Sequence, residues 1–176
     1  MGKERLTAAT FEDLAMPLFD QLYNFAQWLT RNPSEAEDLV QETYVKALRG
    51  FSSFQPGTNL RAWMYRILRN TFLTSRTGLA STATVPLDTE DDAGIPAAPG
   101  TPETILIERS QQDLLESAIE ELPLRFREII LLCEVEEMSY LEMAETLAIP
   151  IGTVMSRLSR ARAALREILR KKSGST

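Results

Sequence analysis

The residues best suited to chemistry lie in one short stretch near the C-terminus, where arginines alternate with small polar side chains. Arg157 and Arg160 carry guanidinium groups, and Ser156 stands beside them. Guanidinium groups bind phosphates and the acceptor edge of guanine, and a hydroxyl binds either kind of base edge, so the pattern suits the reading of duplex DNA. From Gly152 to Lys172 seven residues are basic and one, Glu167, is acidic, within a chain of net charge −6. This local charge reversal favours nucleic-acid binding.

Two predicted helices position these side chains. Ser139 and Glu142 form a capping box at the start of the first helix, and Pro150 and Gly152 in the following turn are expected to end it. Thr153 is predicted to cap the second helix. Apolar residues at helical spacing predict the inward face of that helix: Val154, Leu158, Ala161, Leu165 and Ile168. The arrangement indicates a helix-turn-helix that reads DNA, and the simpler alternative is a helical hairpin with a solvated basic face.

A second set of nucleic-acid-binding residue types occurs between Asn59 and Gly78, where there are four arginines and no acid. Arginines and aromatic residues share one helical face at steps of three and four: Arg61, Tyr65, Arg69, Phe72 and Arg76. Guanidinium groups bind phosphates while aromatic rings stack on bases, so this face suits single-stranded nucleic acid. The alternative is that Tyr65 and Phe72 pack against neighbouring helices.

Start and stop signals predict three helices in the N-terminal half. The first spans residues 10–30 with a bend at Pro17, and the second starts at Asn32-Pro33 and stops at Gly50. The third follows a cap at Asn59 and runs to about Thr74. The predicted inward residues of the second helix are Ala36, Leu39, Val40, Thr43 and Ala47, and those of the third are Trp63, Met64, Ile67, Leu68 and Thr71.

A segment without helical periodicity separates the two arginine-bearing parts. Residues 79–102 are rich in Ala, Thr, Pro and Gly, contain four acids and have no Lys or Arg. We therefore predict an all-α chain of two small helical domains, 1–78 and 103–176, joined by the flexible acidic linker 79–102. The linker is either a passive tether or an acidic mimic of a nucleic-acid backbone. Within the second domain, helices are predicted at 101–121 and 124–136, and residues 171–176 are predicted to be a frayed tail.

Several classes of function are disfavoured by composition. The chain has no histidine, no glycine-rich phosphate loop and no nucleophile elbow, so we expect neither an enzyme nor a cofactor. Cys133 is the single cysteine and lies in an apolar run, which excludes an internal disulfide and fits a core position in a reducing compartment, the cytoplasm. No apolar run is long enough to cross a bilayer, and the N-terminus lacks a signal-peptide core, so membrane insertion is not expected.

Taken together, these features resemble the extracytoplasmic-function (ECF) group of bacterial sigma-70 family RNA polymerase sigma factors, over almost the whole chain. The stretch 36–44 (AEDLVQETY) is similar to the family's clamp-binding helix, and 57–70 (GTNLRAWMYRILRN) to its promoter-melting, −10 element. Four stretches resemble the family's −35-reading domain: Leu122-Pro123, Phe126–Glu128, Ser139-Tyr140 and Ile151–Leu158. A helix-turn-helix alone is common to many regulators, whereas these three elements in this order and spacing are specific.

The resemblance implies a role for each surface. By residue type alone the outer side of the second helix is only solvated, but the resemblance implies that it binds core RNA polymerase through Asp38, Gln41 and Glu42, with Leu48 as an apolar neighbour. The loop 51–59 becomes a pocket for a base flipped out of the −10 strand. The implied −10 DNA-binding residues are Phe54, Asn59, Arg61, Tyr65, Arg66, Arg69, Asn70 and Arg76. Those for the −35 element are Thr153, Ser156, Arg157, Ser159 and Arg160, with Arg162 on a phosphate.

The resemblance also implies partners: core RNA polymerase, promoter DNA and an anti-sigma factor that holds the protein inactive, as part of a stress or envelope response. We expect a monomer outside these complexes. Met155 and Ser159 stand where relatives can have arginine or an aromatic residue, so the −35 sequence preference does not transfer. The alternative from another class is a stand-alone helix-turn-helix regulator, which would need a dimer interface that the sequence does not offer.

Overall fold

The computed structural model describes residues 8–77 and 109–174. In these ranges the regular elements are helices, and they belong to two compact units, so the all-α prediction is confirmed. The predicted linker 79–102 and the first residues of the helix predicted at 101–121 lie outside the described residues. No helix in the described ranges has the length and apolar character needed to cross a membrane.

The first unit contains the helices of residues 8–77. They are α1 (Ala8–Ala15), α2 (Phe19–Thr30), α3 (Pro33–Gly50) and α4 (Leu60–Arg76), with 3-10 turns at Met16–Leu18 and Phe51–Ser53. The bend predicted at Pro17 is a complete break, because the short 3-10 turn that contains this proline separates α1 from α2.

The start of α3 follows the predicted cap. Asn32 is extended and its side-chain oxygen accepts a hydrogen bond from the backbone N–H of Glu35 at 3.2 Å, while Pro33 occupies the first helical position. Arg31, with φ 57°, turns the chain between α2 and α3. The predicted inward residues of α3 are all buried. This orients the opposite side of the helix, with its acids, toward solvent.

The helix α4 is the centre of the first unit, since it packs against α1, α2 and α3. Asn59 caps it, accepting from the backbone N–H of Ala62 at 3.1 Å, and the helix runs to Arg76, beyond the predicted end. Trp63 and Ile67, predicted to be inward, are only half-buried. The tighter core positions of α4 are Ala62, Met64, Tyr65, Leu68, Thr71 and Phe72.

Among the described residues, the second unit comprises 109–143 and 149–174. The helices in this part of the chain are α5 (Arg109–Glu121), α6 (Leu124–Ile130), α7 (Tyr140–Leu147) and α8 (Ile151–Ser173). The helix predicted at 124–136 changes type part-way, because α6 continues as a π-helical segment over Leu131–Val135. The last turn of α5 is held by Arg127, whose Nη2 donates to the carbonyls of Glu120 at 2.7 Å and Leu122 at 3.1 Å.

The helix α7 starts at the predicted capping box, but the turn that follows it differs from the prediction. Ser139 and Glu142 form the reciprocal capping box: the Ser139 N–H donates to the Glu142 carboxylate at 2.8 Å, and the Glu142 N–H donates to the Ser139 hydroxyl at 3.1 Å. The left-handed residue that turns the chain is Ala148, with φ 54°, and Gly152 is helical. The expectation about Gly152 was therefore wrong.

Two predictions about the ends of α8 were also wrong. Thr153 does not cap the helix, because the Pro150 carbonyl already accepts from the backbone N–H of Thr153 at 3.0 Å, and α8 starts at Ile151. The predicted frayed tail is helical through Ser173. Lys172 anchors it by donating to the Ser117 hydroxyl at 2.9 Å and by an ion pair with Glu121.

Candidate nucleic-acid interface

The outward side of α8 carries the predicted DNA-reading residues near its N-terminal end. Ser156 is exposed, and Thr153, Arg157, Ser159 and Arg160 are half-buried. The inward side is formed by Val154, Leu158, Ala161 and Leu165, all buried as predicted. A helix with its apolar side packed and its polar N-terminal turns open to solvent has the geometry of a recognition helix.

Arg157 is partly fixed by packing. Its Nε is buried and makes no hydrogen bond within the described part of the chain. A guanidinium group has five N–H donors, so the burial of Nε leaves four others that can donate to acceptors outside the unit. A DNA base edge or phosphate supplies such acceptors.

Arg162 has a partner within the chain. Its Nη2 and Nε donate to one carboxylate oxygen of Glu134, at 2.6 and 3.1 Å. Burial acts to lower the pKa of Arg162, but the hydrogen bond and charge of Glu134 outweigh it, so the pKa is raised. This ion pair ties α8 to the π-helical segment, and the phosphate contact of Arg162 stays a prediction.

Cys133 lies beside this ion pair and is half-buried, less enclosed than its apolar run indicated. Its sulfur is 3.6 Å from Nη2 of Arg162. Burial raises the pKa of the Cys133 thiol, and the charge of Glu134 raises it further. Both effects disfavour the thiolate, which is the reactive form of cysteine.

The predicted arginine face of α4 is at least partly exposed, but its aromatic residues Tyr65 and Phe72 are buried. Arg66, Asn70 and Arg76 are exposed, and Arg61 and Arg69 are half-buried. With no acid on α4, these side chains form a basic surface suited to a phosphate backbone.

The prediction that Tyr65 binds DNA is wrong for this structure. The ring is completely buried, with its centroid 5.2 Å from that of Phe25. A base needs an open aromatic face to stack on, and this ring has none. Phe72 is buried as well, so the alternative of packing between helices is correct for both rings.

The loop between α3 and α4 holds an aromatic cluster. The half-buried ring of Phe54 lies parallel to Phe51, with centroids 5.8 Å apart, and 5.1 Å from the ring of Trp63. The loop closes through Gly57, whose φ of 87° is a backbone conformation that glycine adopts without strain. The cluster fixes the loop next to the cap residue Asn59. Phe54 and Trp63 are its partly open members, whereas Phe51 is buried.

The outer side of α3 is acidic and partly apolar. Asp38, Gln41 and Glu42 are exposed, and Leu48 is 47% exposed despite its size. Val45 is equally exposed, so two large apolar side chains accompany the acids on α3. A surface that combines charge with exposed apolar area is typical of a protein-binding site.

A groove of about 320 Å³ lies beside these acids, within the first unit. Leu39 and Phe72 contribute its apolar part, and Arg76 approaches Glu35 across it, with 3.5 Å between Nη2 and the carboxylate oxygen. Its lining residues are Thr30, Glu35, Asp38, Leu39, Glu42, Phe72, Ser75 and Arg76. Sequence reasoning identified Asp38 and Glu42 but missed the groove, because its lining residues come from three helices that only tertiary packing brings together.

Comparison with known proteins shows which family carries these surfaces. The family model of sigma-70 region 2 matches residues 14–81, and that of sigma-70 region 4 matches residues 112–165. The ECF RNA polymerase sigma factor SigE of Mycolicibacterium smegmatis is 37% identical over 96% of this chain and 68% of its own length. EcfG of Rhodopseudomonas palustris is 34% identical over 88% of each chain.

A solved structure is similar as well. The sigma factor RpoE of Bartonella quintana, crystallised with the anti-sigma factor NepR, is 31% identical with a TM-score of 0.69, over 93% of this chain and 98% of that chain. The family models of sigma-70 regions 2 and 4 match the two helical parts of the chain, which carry an acidic surface and two basic surfaces. This combination defines a sigma-70 type initiation factor. The chain belongs to the ECF group of RNA polymerase sigma factors, which confirms the resemblance and disfavours a stand-alone regulator.

Proposed function

We propose that this sigma factor holds core RNA polymerase through the outer side of α3 and places two DNA-binding surfaces on the promoter. Residues 1–78 bind the polymerase and the −10 element, and residues 103–176 bind the −35 element. The observation that carries the proposal is the separation of charge within one compact unit. The acids of α3 and the arginines of α4 lie on different helices and meet where Arg76 approaches Glu35, so a protein partner and DNA can bind to different helices of the unit.

The polymerase-binding surface consists of Asp38, Gln41 and Glu42, with Leu48 as its apolar neighbour. Exposed acids steer a basic partner, while the exposed Leu48 supplies area that loses water on binding. A basic helix of the polymerase fits this combination. The groove next to Asp38 adds a recess that can take a long basic side chain.

The −10 surface consists of the basic side of α4 and the aromatic loop before it. Its proposed members are Phe54, Asn59, Arg61, Arg66, Arg69, Asn70 and Arg76, and Tyr65 supports Arg61 from below. The Arg61 guanidinium lies over the Tyr65 ring, 5.8 Å from its centroid. The arginines hold the phosphates of the melted strand, and the half-open ring of Phe54 offers a face to an unstacked base.

The −35 surface consists of the N-terminal turns of α8. Thr153, Ser156, Arg157, Ser159 and Arg160 point away from the buried side of the helix or border it. In a major groove their guanidinium groups reach guanine acceptors, and their hydroxyls reach either donors or acceptors. Recognition of guanine then comes from the two arginines, while the hydroxyls can pair with several kinds of base edge.

We further propose that an anti-sigma factor holds this protein inactive in the bacterial cytoplasm, where it acts without catalysing a reaction itself. The support is the similarity to RpoE of Bartonella quintana, which was solved with its anti-sigma factor NepR. A protein that covers α3 would block the polymerase-binding acids directly. Purification of the tagged chain from its native cells should then yield a stoichiometric partner that is displaced by core polymerase.

Run-off transcription with purified core polymerase on a promoter library tests the function. Initiation that depends on this chain, at promoters sharing a −35 and a −10 pattern, is expected. A chain that never supports initiation but footprints duplex DNA without polymerase would overturn the proposal in favour of a stand-alone regulator.

A further inference from the structure

Two large apolar side chains interrupt the polar outer surface of α8. Met155 is 53% exposed and Ile151 is 42% exposed. They are one helical turn apart, so their side chains are neighbours. We propose that Met155 determines −35 specificity by contacting the 5-methyl group of a thymine in the major groove, an inference that rests on the proposed function of α8.

The position of Met155 on the helix supports this contact. At about 100° per residue, the centre of the side of α8 opposite the buried stripe carries the small residues Gly152, Ser156 and Ala163. Ser159 and Arg160 lie on the two borders of this strip. At Gly152, the position of an added Cβ has no atom within 4 Å.

Small side chains at the centre of this side let the helix backbone come close to the base edges. Met155 lies beside this strip, next to Ser156, and is long enough to reach further along the groove. An apolar side chain in that place needs an apolar partner, because each base edge that it covers loses its water.

The major groove offers one such partner. Every base pair presents hydrogen-bonding groups there, but only thymine adds a methyl group. The thioether of Met155 is at most a weak acceptor, so it cannot replace the bonds that guanine or cytosine groups lose with their water. Against thymine, the methyl group packs on the flexible, polarisable side chain of methionine. Met155 therefore favours an A·T pair in a definite orientation.

The test removes only the methyl group. Once the library has given the promoter pattern, each −35 thymine is replaced in turn by deoxyuridine, and competitive promoter binding by the holoenzyme is measured. Burying one methyl group corresponds to about a fourfold change in affinity. We expect one position at which deoxyuridine weakens the wild-type holoenzyme by about fourfold, and no such penalty with Met155→Ala.

Two variants make the result specific. Met155→Leu keeps an apolar side chain of similar size and should keep the penalty. Val135→Ala truncates another exposed apolar residue of the same unit, 52% exposed and off α8, and should also keep it. A penalty of equal size with Met155→Ala, or no deoxyuridine penalty at any −35 position, would overturn the inference. Wild-type protein that forms no holoenzyme would remove the proposed function itself, and this inference with it.

Discussion

Arg162 and Glu134 are joined at 2.6 Å, and this ion pair connects residues 28 positions apart. Arg162 belongs to the recognition helix, whereas Glu134 belongs to the π-helical segment that follows α6. The side chains are 27% and 41% exposed, so solvent screens the pair only in part. The pair therefore fixes the orientation of α8 within its own unit, and removing it should affect stability before it affects DNA recognition.

We expect Arg162→Ala and Glu134→Ala each to destabilise the second unit, with a coupling of about 1 kcal/mol in a double-mutant cycle. Trp28 and Trp63, the two tryptophans of the chain, both belong to the first unit, so their fluorescence does not report on the second. Circular dichroism should show the loss while tryptophan fluorescence does not. A coupling near zero would mean that the pair does not stabilise the unit.

The outer side of α3 makes a prediction about polymerase assembly. Asp38→Lys and Glu42→Lys place positive charge where we propose that a basic partner binds, so each should prevent holoenzyme formation by repulsion. Co-elution with core polymerase in size-exclusion chromatography measures this. Asp13→Lys is the matched control, since it makes the same charge change at an exposed position on α1.

Unchanged assembly with both α3 variants would remove the polymerase role of this surface. Loss of assembly with Asp13→Lys as well would point to an effect of net charge instead. Stability measured by tryptophan fluorescence should stay within about 0.5 kcal/mol for Asp38→Lys and Asp13→Lys, because most surface substitutions are that mild. Glu42→Lys also breaks the exposed ion pair with Lys46, at 3.2 Å, so it should cost up to about 1 kcal/mol.

The arginines of α8 predict a specificity effect. If Arg157 and Arg160 each read a base, replacing either with alanine should cost about 1–3 kcal/mol of discrimination at one −35 position. Arg170→Ala is the control, since this arginine is near the far end of α8 and pairs with Glu167 at 2.7 Å. Binding of holoenzyme to single-base variants of the −35 element measures the effect. Equal weakening on every sequence would make these arginines phosphate contacts.

Local signals allowed much of the fold to be predicted. The caps at Asn32 and Asn59 and the capping box of Ser139 depend only on residues three positions apart, and all three are present. Long-range pairings leave no such local trace. The sequence pattern therefore does not identify Glu134 as the partner of Arg162. It also gives no sign of the change from α-helix to π-helix, which occurs in a run where nearly every residue is apolar.

Tyr65 shows the limit of periodicity for the candidate site. Its spacing from Arg61 and Arg69 predicts a position on a polar face, if the helix is buried on only one side. Because α4 packs on three other helices, its buried surface is wider than one stripe, and it includes Tyr65. We expect Tyr65→Ala to destabilise the first unit by about 3–5 kcal/mol, like other large-to-small aromatic substitutions in cores. Tryptophan fluorescence during urea unfolding measures this, and a variant as stable as the wild type would contradict the core role.

Tyr44 predicts how the stability of the first unit depends on pH. Its hydroxyl donates to the Ala15 carbonyl at 2.7 Å, and burial, with a smaller effect of the Asp20 charge, raises its pKa to about 12. In the unfolded chain the pKa is about 10. A group whose pKa is higher in the folded state stabilises that state below the unfolded pKa, and the contribution is lost as pH rises from about 10 toward 12.

Tyr44→Phe tests both the hydrogen bond and the titration. At pH 7 the variant should lose about 0.5–1.5 kcal/mol, the net value of one hydrogen bond. Between pH 10 and 12, the stability of the wild type should fall more steeply than that of the variant, because phenylalanine has no proton to lose. Urea unfolding followed by tryptophan fluorescence at each pH measures the difference. Parallel pH profiles for the two proteins would mean that the Tyr44 hydroxyl has the same pKa in the folded and unfolded states. The environment of this hydroxyl, including its hydrogen bond to Ala15, would then not raise the pKa.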